Sequence, residues 1–451
     1  MEEQSKYGTA RNTPVEETAG IFSEAFVIEG GYRLEGEIVI SGAKNASLPM
    51  MAAALLTADE CILHNVPDIE DVRILAQVLR FLGASVERLD RNTYRIRADN
   101  IRNFQAPSEL VRKMRASFLV MGPLLARFGR AASCPPGGDV IGQRPIDVHL
   151  IGFRALGAKI TQENDIYTAS ADHLRGTRIF MDYPSHIGTE NLLMAACLAK
   201  GRTLLINASQ EPEVVDLALM LNKMGARIRG AGTSYIEIEG VDRLHGTTHT
   251  VIPDRIEAGT YAAAAVITQG EIVLRQVACN HMESLIWKIN EMGASAVEDG
   301  DNLYVKGTRP LRAVNVQALP YPGFATDLQS TIGVVLTQAE GVSVVHERVY
   351  DRRLIYLREL RKMGARVKPR GQTAIIEGPM RLAGTTVRAL DIRSGAALVL
   401  AGLAAEGITT VTDIYHLDRG YQDMDKKLCE VGARIQRKRL LCEQTGMSPE
   451  R

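Results

Sequence analysis

Apolar residues recur along the chain with two alternating periods. Stretches such as DVRILAQVLRFLGA set them three and four positions apart, the spacing of a helix with one buried face, and stop at a glycine able to take a left-handed cap. Alternating stretches follow, as in ARIRGAGTSYIEIEG, and predict two strands joined by a turn. A third kind of segment, seen in NLLMAACLAKGRTLLINA, YAAAAVITQGEIVLRQV and AALVLAGLAAEGITTVTDI, is apolar all round and rich in small residues before it passes into a strand. Helices without a polar face must be buried, and small side chains let neighbouring elements approach closely.

The order of these segments repeats. A hydrophobic residue followed by Gly-Ala closes a helical stretch at Gly83, Gly157, Gly225, Gly293, Gly364 and Gly432, at intervals of 74, 68, 68, 71 and 68 residues. Six such units predict an α/β protein of two similar three-unit domains with a cleft between them, since the period is too long for a solenoid of short stacked repeats. The pattern is interrupted near residues 250–254, in VIPDRIEAG. The expected division is a flexible leader over 1–22, a first domain over 45–251 and a second over 23–44 plus 252–451.

Length supports two cores, because 451 residues exceed what one accommodates. Lys plus Arg and Asp plus Glu are equal at 53 each, so no net field draws the chain to nucleic acid or membrane. Any bound anion must be held by a local cluster. No apolar run is long enough to span a bilayer and no signal-peptide core opens the chain, so the cytoplasm is the expected compartment. The six cysteines, Cys61, Cys134, Cys197, Cys279, Cys429 and Cys442, contain no CxxC pair, which argues against a disulfide framework or a zinc site.

Candidate chemistry concentrates in five places. In residues 133–150, SCPPGGDVIGQRPIDVHL, prolines and glycines set Asp139 at a loop tip, and Arg144 with Pro145 opens a helix whose free N–H groups suit an anion. The stretch reads equally as a catalytic loop of about 133–145 and as a surface turn. Lys44 in SGAKN, with Asn45 beside it, ends a strand as a phosphate contact or an exposed structural lysine. Arg115 lies beside an apolar helical face, either snorkelling or aimed at a ligand. Asp327 in YPGFATDLQS could simply cap a helix. Asp391, Arg393 and Arg419 sit at helix starts in ALDIRSGAALVL and HLDRGYQD. Cations and separated carboxylates at strand-to-helix junctions suit an anionic substrate flanked by acid and base groups. Neither GxxxxGK[ST] nor GxGxxG after a strand occurs, and no cofactor is expected.

SGAKNA, the PGG-x-x-IG-x-RP-x-D-x-H loop, TDLQ and HLDRGY, in that order and within the sixfold repeat, resemble the UDP-N-acetylglucosamine 1-carboxyvinyltransferases over residues 28–436. These are the enolpyruvyl transferases that begin peptidoglycan precursor synthesis. The resemblance implies a two-domain inside-out α/β barrel of six βαβαββ units around buried helices, with the first strand belonging to the second domain. It implies phosphoenolpyruvate and UDP-N-acetylglucosamine as partners, with no nucleic acid, no membrane and no cofactor. The enolpyruvyl group passes to the 3′-hydroxyl, and phosphate leaves through a tetrahedral intermediate.

Residue by residue, Lys44 with Asn45 matches the family's phosphoenolpyruvate contact, and Arg115, Arg144 and Arg419 match its anion-binding arginines. The run Arg144, Pro145, Ile146, Asp147 and Val148 matches the segment that holds the uridine nucleotide, which Ser185, His186 and Ile187 also line. Asp327 matches the carboxylate beside the sugar hydroxyl, the candidate base. Val349 matches a further nucleotide-sugar contact, and Asp391 with Arg393 matches polar residues near the reacting centre.

Two departures stand out. The commonest members carry cysteine where this chain has Asp139, and that cysteine is the family's proton donor and the target of fosfomycin. An ordinary aspartate has a pKa of about 3.9 against about 8.5 for a thiol, so Asp139 as general acid needs desolvation or a nearby anion. In MDYPSHIGTEN, Pro184 stands where lysine is usual and His186 where a small hydroxyl residue is usual. That weakens the implied diphosphate contact and keeps open a paralogue that binds a nucleotide sugar without catalysis or with altered specificity. The shikimate-pathway enolpyruvyl transferase shares the fold, but Lys44-Asn45 and the long PGG loop favour the wall enzyme.

Overall fold

The computed structural model describes residues 22–139, 141–142 and 146–441. The expected leader, save residue 22, and Arg144 with Pro145 lie outside the described residues. All six repeat glycines take the left-handed conformation, with φ between 89° and 109°, so each Gly-Ala pair ends a helix and turns the chain into a strand.

The small-residue helices are interior. Lys44–Ala53, Met121–Phe128 and His186–Ala196 gather in one apolar cluster. Arg255–Ile267, Gln329–Leu336 and Ile392–Ala404 gather in the other. Every residue of Arg255–Ile267 is buried, which only a helix without a polar stripe tolerates. Amphipathic helices such as Glu70–Leu82 and Pro212–Lys223 contribute one apolar face each.

Strands alternate with these helices in sheets of one design. Thr247–Thr250 runs parallel to Cys61–His64, which is antiparallel to Thr93–Arg97, itself antiparallel to Ser85–Asp90. The same order recurs through Glu35–Val39, Glu271–Arg275, Asn302–Lys306 and Ser295–Asp299. In the three-stranded sheet that begins with Arg130–Ser133, a parallel bridge from Gln105 to Ala132 stands where the fourth strand would lie.

The chain starts in one half, crosses to the other and returns. Phe22–Glu29 pairs with both Ile408–Thr412 and Arg434–Leu441, so the two ends of the described chain share a sheet. The two crossings lie side by side: the Ala43 amide donates to the Ile252 carbonyl at 2.8 Å and the Asp254 amide to the Ser41 carbonyl at 2.8 Å. Buried Glu257 fixes the outgoing strand by accepting from the Ser41 amide at 2.7 Å and from Lys427 Nζ at 2.7 Å. Lys44, the first residue of its helix, is thereby held at the mouth of the space between the halves.

Candidate active site

A cleft of about 400 Å³ lies between the two apolar clusters and takes its walls from both. On one side runs a chain of alternating charges. Lys44 Nζ meets Asp71 Oδ2 at 2.7 Å, Asp71 Oδ1 accepts from Arg419 Nε at 2.9 Å, and Arg419 Nη1 donates to Asp139 Oδ1 at 2.5 Å. Asp71 sits in the first turn of Glu70–Leu82, where the helix dipole favours a carboxylate, and only 1% of its side chain is exposed. Burial works against the charge on Arg419, but Asp71 and Asp139 outweigh it and raise the guanidinium above its ordinary value.

Across the cleft, Asp327 accepts from Arg353 Nη2 at 2.5 Å and from Arg393 Nε at 2.9 Å. Burial favours the neutral acid here, yet the two guanidinium groups prevail and hold its carboxyl well below the usual carboxylate range. The neighbouring Thr326 Oγ1 donates to Glu347 at 2.9 Å, and Glu347 accepts from the Val349 amide at 2.7 Å. One buried carboxylate thus ties the Asp327 turn to the segment carrying Val349.

The third wall is the start of His186–Ala196. Ser185 caps it, its Oγ accepting from the Gly188 amide at 3.2 Å. His186 lies between carboxylates, with Nε2 at 3.0 Å from Glu190 and Nδ1 at 3.1 Å from Glu211. Burial lowers the pKa of the ring, but Glu190 and Glu211 outweigh it and push the imidazole up to about 10. Glu190 is 1% exposed and is sheltered from solvent by this contact. Behind it, buried Arg255 and Glu213 form a two-point pair at 3.0 and 3.3 Å.

The family model for EPSP synthase (3-phosphoshikimate 1-carboxyvinyltransferase) matches residues 28–428. The chain is 50% identical over 413 residues to UDP-N-acetylglucosamine 1-carboxyvinyltransferase 1 of Caldanaerobacter subterraneus subsp. tengcongensis, covering 92% of this chain and 99% of that protein. It is also 50% identical over 416 residues to UDP-N-acetylglucosamine 1-carboxyvinyltransferase 2 of Carboxydothermus hydrogenoformans, with the same coverage of each chain. The chain belongs to the UDP-N-acetylglucosamine 1-carboxyvinyltransferase family. Its fold is that of the enolpyruvyl transferases. The crystal structure of the enolpyruvyl transferase NikO from Streptomyces tendae superimposes with a TM-score of 0.85 at 25% identity, covering 93% of this chain and all of that one. EPSP synthase from Acinetobacter baumannii superimposes at 0.72 and 20% identity, covering 92% and 100%.

Of the residues singled out from the sequence, Lys44, Asn45, Arg115, Asp139, Val148, Ser185, His186, Ile187, Asp327, Val349, Arg393 and Arg419 line this cleft. Arg115 is half-buried on the cleft wall, and Lys44 is 8% exposed and held by Asp71, which removes the reading of a solvated structural lysine. Four residues do not line the cleft. Ile146 is buried just before the helix Asp147–Ala155, and Asp147 is exposed in its first turn. Asp391 is 1% exposed and caps Ile392–Ala404, its Oδ1 accepting from the Arg393 amide at 2.9 Å and the Ser394 amide at 3.1 Å. It therefore aims the helix that carries Arg393. Cys134 is fully buried with its Sγ toward the Ser108 carbonyl, away from the cleft lining.

Asp71, Arg353, Glu190 and Glu211 were not singled out from the sequence. Asp71 in EDVRIL reads as an ordinary first-turn acid and Arg353 in DRRLIYLREL as one charge among several. Among the described residues, no three His, Cys, Asp or Glu side chains are placed to hold a metal ion, and no helix is long and apolar enough to cross a membrane.

Proposed function

We propose that this chain transfers the enolpyruvyl group of phosphoenolpyruvate to the 3′-hydroxyl of UDP-N-acetylglucosamine and releases phosphate, the first committed step of peptidoglycan precursor synthesis in the cytoplasm. The observation that carries the reading is the placement of two carboxylates, Asp139 and Asp327, each on arginine, on opposite walls of one cleft. The two apolar clusters support two domains, one over 45–251 and one over 23–44 plus 252–451, that enclose it.

Phosphoenolpyruvate is a trianion-like ligand and needs several cations; Lys44, Arg115 and Arg419 supply them from the cleft walls. Asp139 occupies one donor of Arg419. Phosphate arriving at Arg419 competes for that donor and places negative charge beside Asp139, and both effects favour its protonation. Asp139 then delivers a proton to the methylene carbon of phosphoenolpyruvate. The 3′-oxygen bonds to the neighbouring carbon, giving a tetrahedral adduct with a methyl group, and Asp327 takes the hydroxyl proton. An oxygen that has attacked an electron-deficient carbon is strongly acidic, so a carboxylate kept ionised by Arg353 and Arg393 is base enough. Phosphate leaves with the proton held by Asp327 while the Asp139 carboxylate takes back a proton from the methyl group, which restores the double bond in the product and both carboxyl groups to their starting states.

Asp139 stands at the position where cysteine is common in the family, and a carboxylate cannot form the thioether that fosfomycin makes with a thiol. Insensitivity to that antibiotic follows. The nucleotide sugar lies along Ser185, His186, Ile187, Val148 and Val349 in this reading. His186 already has both ring nitrogens on carboxylates, which favours a second reading in which nucleotide-sugar preference is altered while the chemistry is retained. Phosphate release that requires both substrates and is lost in Asp327→Ala supports the transferase. Binding of UDP-N-acetylglucosamine without phosphate release at any pH would make the chain a binding protein instead.

A further inference from the structure

Arg419 opens a five-residue segment, 419–423, whose side chains reach into both halves. Arg419 reaches Asp71 in the first half. The Tyr421 hydroxyl turns back to Thr260 Oγ1 at 2.9 Å inside the second half. Gln422 reaches across again: its Oε1 accepts from the Asp68 amide at 2.7 Å and from Asn92 Nδ2 at 3.0 Å. Asp423 follows in the left-handed conformation at φ 50°, which an aspartate tolerates better than most residues, and its carboxylate pairs with Arg91 of the first half. The segment is thus fastened to the first half at both ends, by Arg419 on Asp71 and by Gln422 on Asp68 three residues earlier.

Asn92 Nδ2 also donates to the Val66 carbonyl at 2.8 Å, so the receiving surface is itself braced. The Arg91 side chain is 53% exposed, and such an ion pair contributes little. The two bonds accepted by Gln422 are the stronger part of the fastening.

We propose that Gln422 is a positioning residue for Arg419: by gripping the Asp68 amide and Asn92 it docks residues 419–423 on the first half and holds Arg419 at the reacting site. Its effect on turnover rests on the function proposed above. Phosphate release by the full-length chain tests it. Gln422→Ala raises KM for phosphoenolpyruvate about tenfold, the effect of one to two lost hydrogen bonds. The kcat changes less than about twofold, and calorimetric affinity for UDP-N-acetylglucosamine is unchanged, a split that general loss of stability would not give. Asn92→Ala acts in the same direction from the other side of the bond, and the double variant is no worse than Gln422→Ala alone. An unchanged KM for phosphoenolpyruvate, or fully additive single effects, overturns the proposal. If the native chain releases no phosphate, the transferase reading fails while the fastening is still decided by small-angle X-ray scattering. A larger radius of gyration in Gln422→Ala then supports it, and identical curves overturn it.

Discussion

Arg419 donates to Asp139 through Nη1 at 2.5 Å while its Nε remains on Asp71 at 2.9 Å. One guanidinium therefore holds the loop carboxylate with one nitrogen and the cleft wall with another. A ligand phosphate that takes the first contact need not disturb the second.

Asp139→Asn keeps the size of the side chain and removes its acid. Phosphate release is expected to fall by about 10²–10⁴-fold, the usual contribution of a positioned acid. Binding of phosphoenolpyruvate, followed by calorimetry, is expected to hold or tighten, because the competitor for Arg419 has lost its charge.

Asp71→Asn removes the anion shared by Lys44 and Arg419. Both cations lose their fixed position, and KM for phosphoenolpyruvate is expected to rise about 10–100-fold, as when a buried charge loses its hydrogen-bonded partner. Steady-state kinetics with saturating UDP-N-acetylglucosamine measures it.

His186 stabilises the fold in a defined pH window. Its folded pKa is raised to about 10 by Glu190 and Glu211 against an unfolded value near 6.5, so the contribution is full below about pH 6.5 and is lost as the pH rises through 10. Burial already raises the pKa of Glu190 against the lowering effect of His186, so His186→Ala leaves a buried carboxyl that can take a proton but has lost its hydrogen-bond partner, at an expected cost of about 1–3 kcal/mol at neutral pH. The difference in melting temperature between native and variant should shrink from pH 7 to pH 10.5; a constant difference would remove the imidazolium from the fold's electrostatics.

Asp327 gives the opposite slope. Its folded pKa is depressed by Arg393 and Arg353 against the opposing effect of burial, so its contribution is present above the ordinary aspartate value of about 3.9 and fades as the pH falls below it. Asp327→Asn should reduce kcat by about 10²-fold or more and flatten the acid limb of thermal stability below pH 4, which differential scanning calorimetry resolves.

Helix ends and interiors were legible along the chain because they depend on local pattern. The Gly-Ala stops do adopt positive φ, and the runs through Ala262 and Ala396 are buried because they have no polar face. Two residues in unusual settings, Lys44 after a strand and Asp139 among prolines and glycines, line the cleft. Asp71 and Arg353 were not legible, since each lies where an amphipathic helix carries charge anyway. What gives Asp71 its role is Arg419, separated from it by 348 positions, and a local pattern holds no record of that meeting. The capping of Ile392–Ala404 by Asp391 shows the converse, a conspicuous carboxylate at a helix start whose bonds go to its own helix.

Phosphate release measured against pH for the native chain and for Asp139→Cys bears most directly on Asp139 as the proton donor. The alkaline limb of kcat is expected at lower pH for the native carboxyl than for the thiol, whose ordinary pKa lies about 4.6 units higher, and the variant should gain inactivation by fosfomycin. Superimposable pH profiles for the two chains would contradict Asp139 as the proton donor.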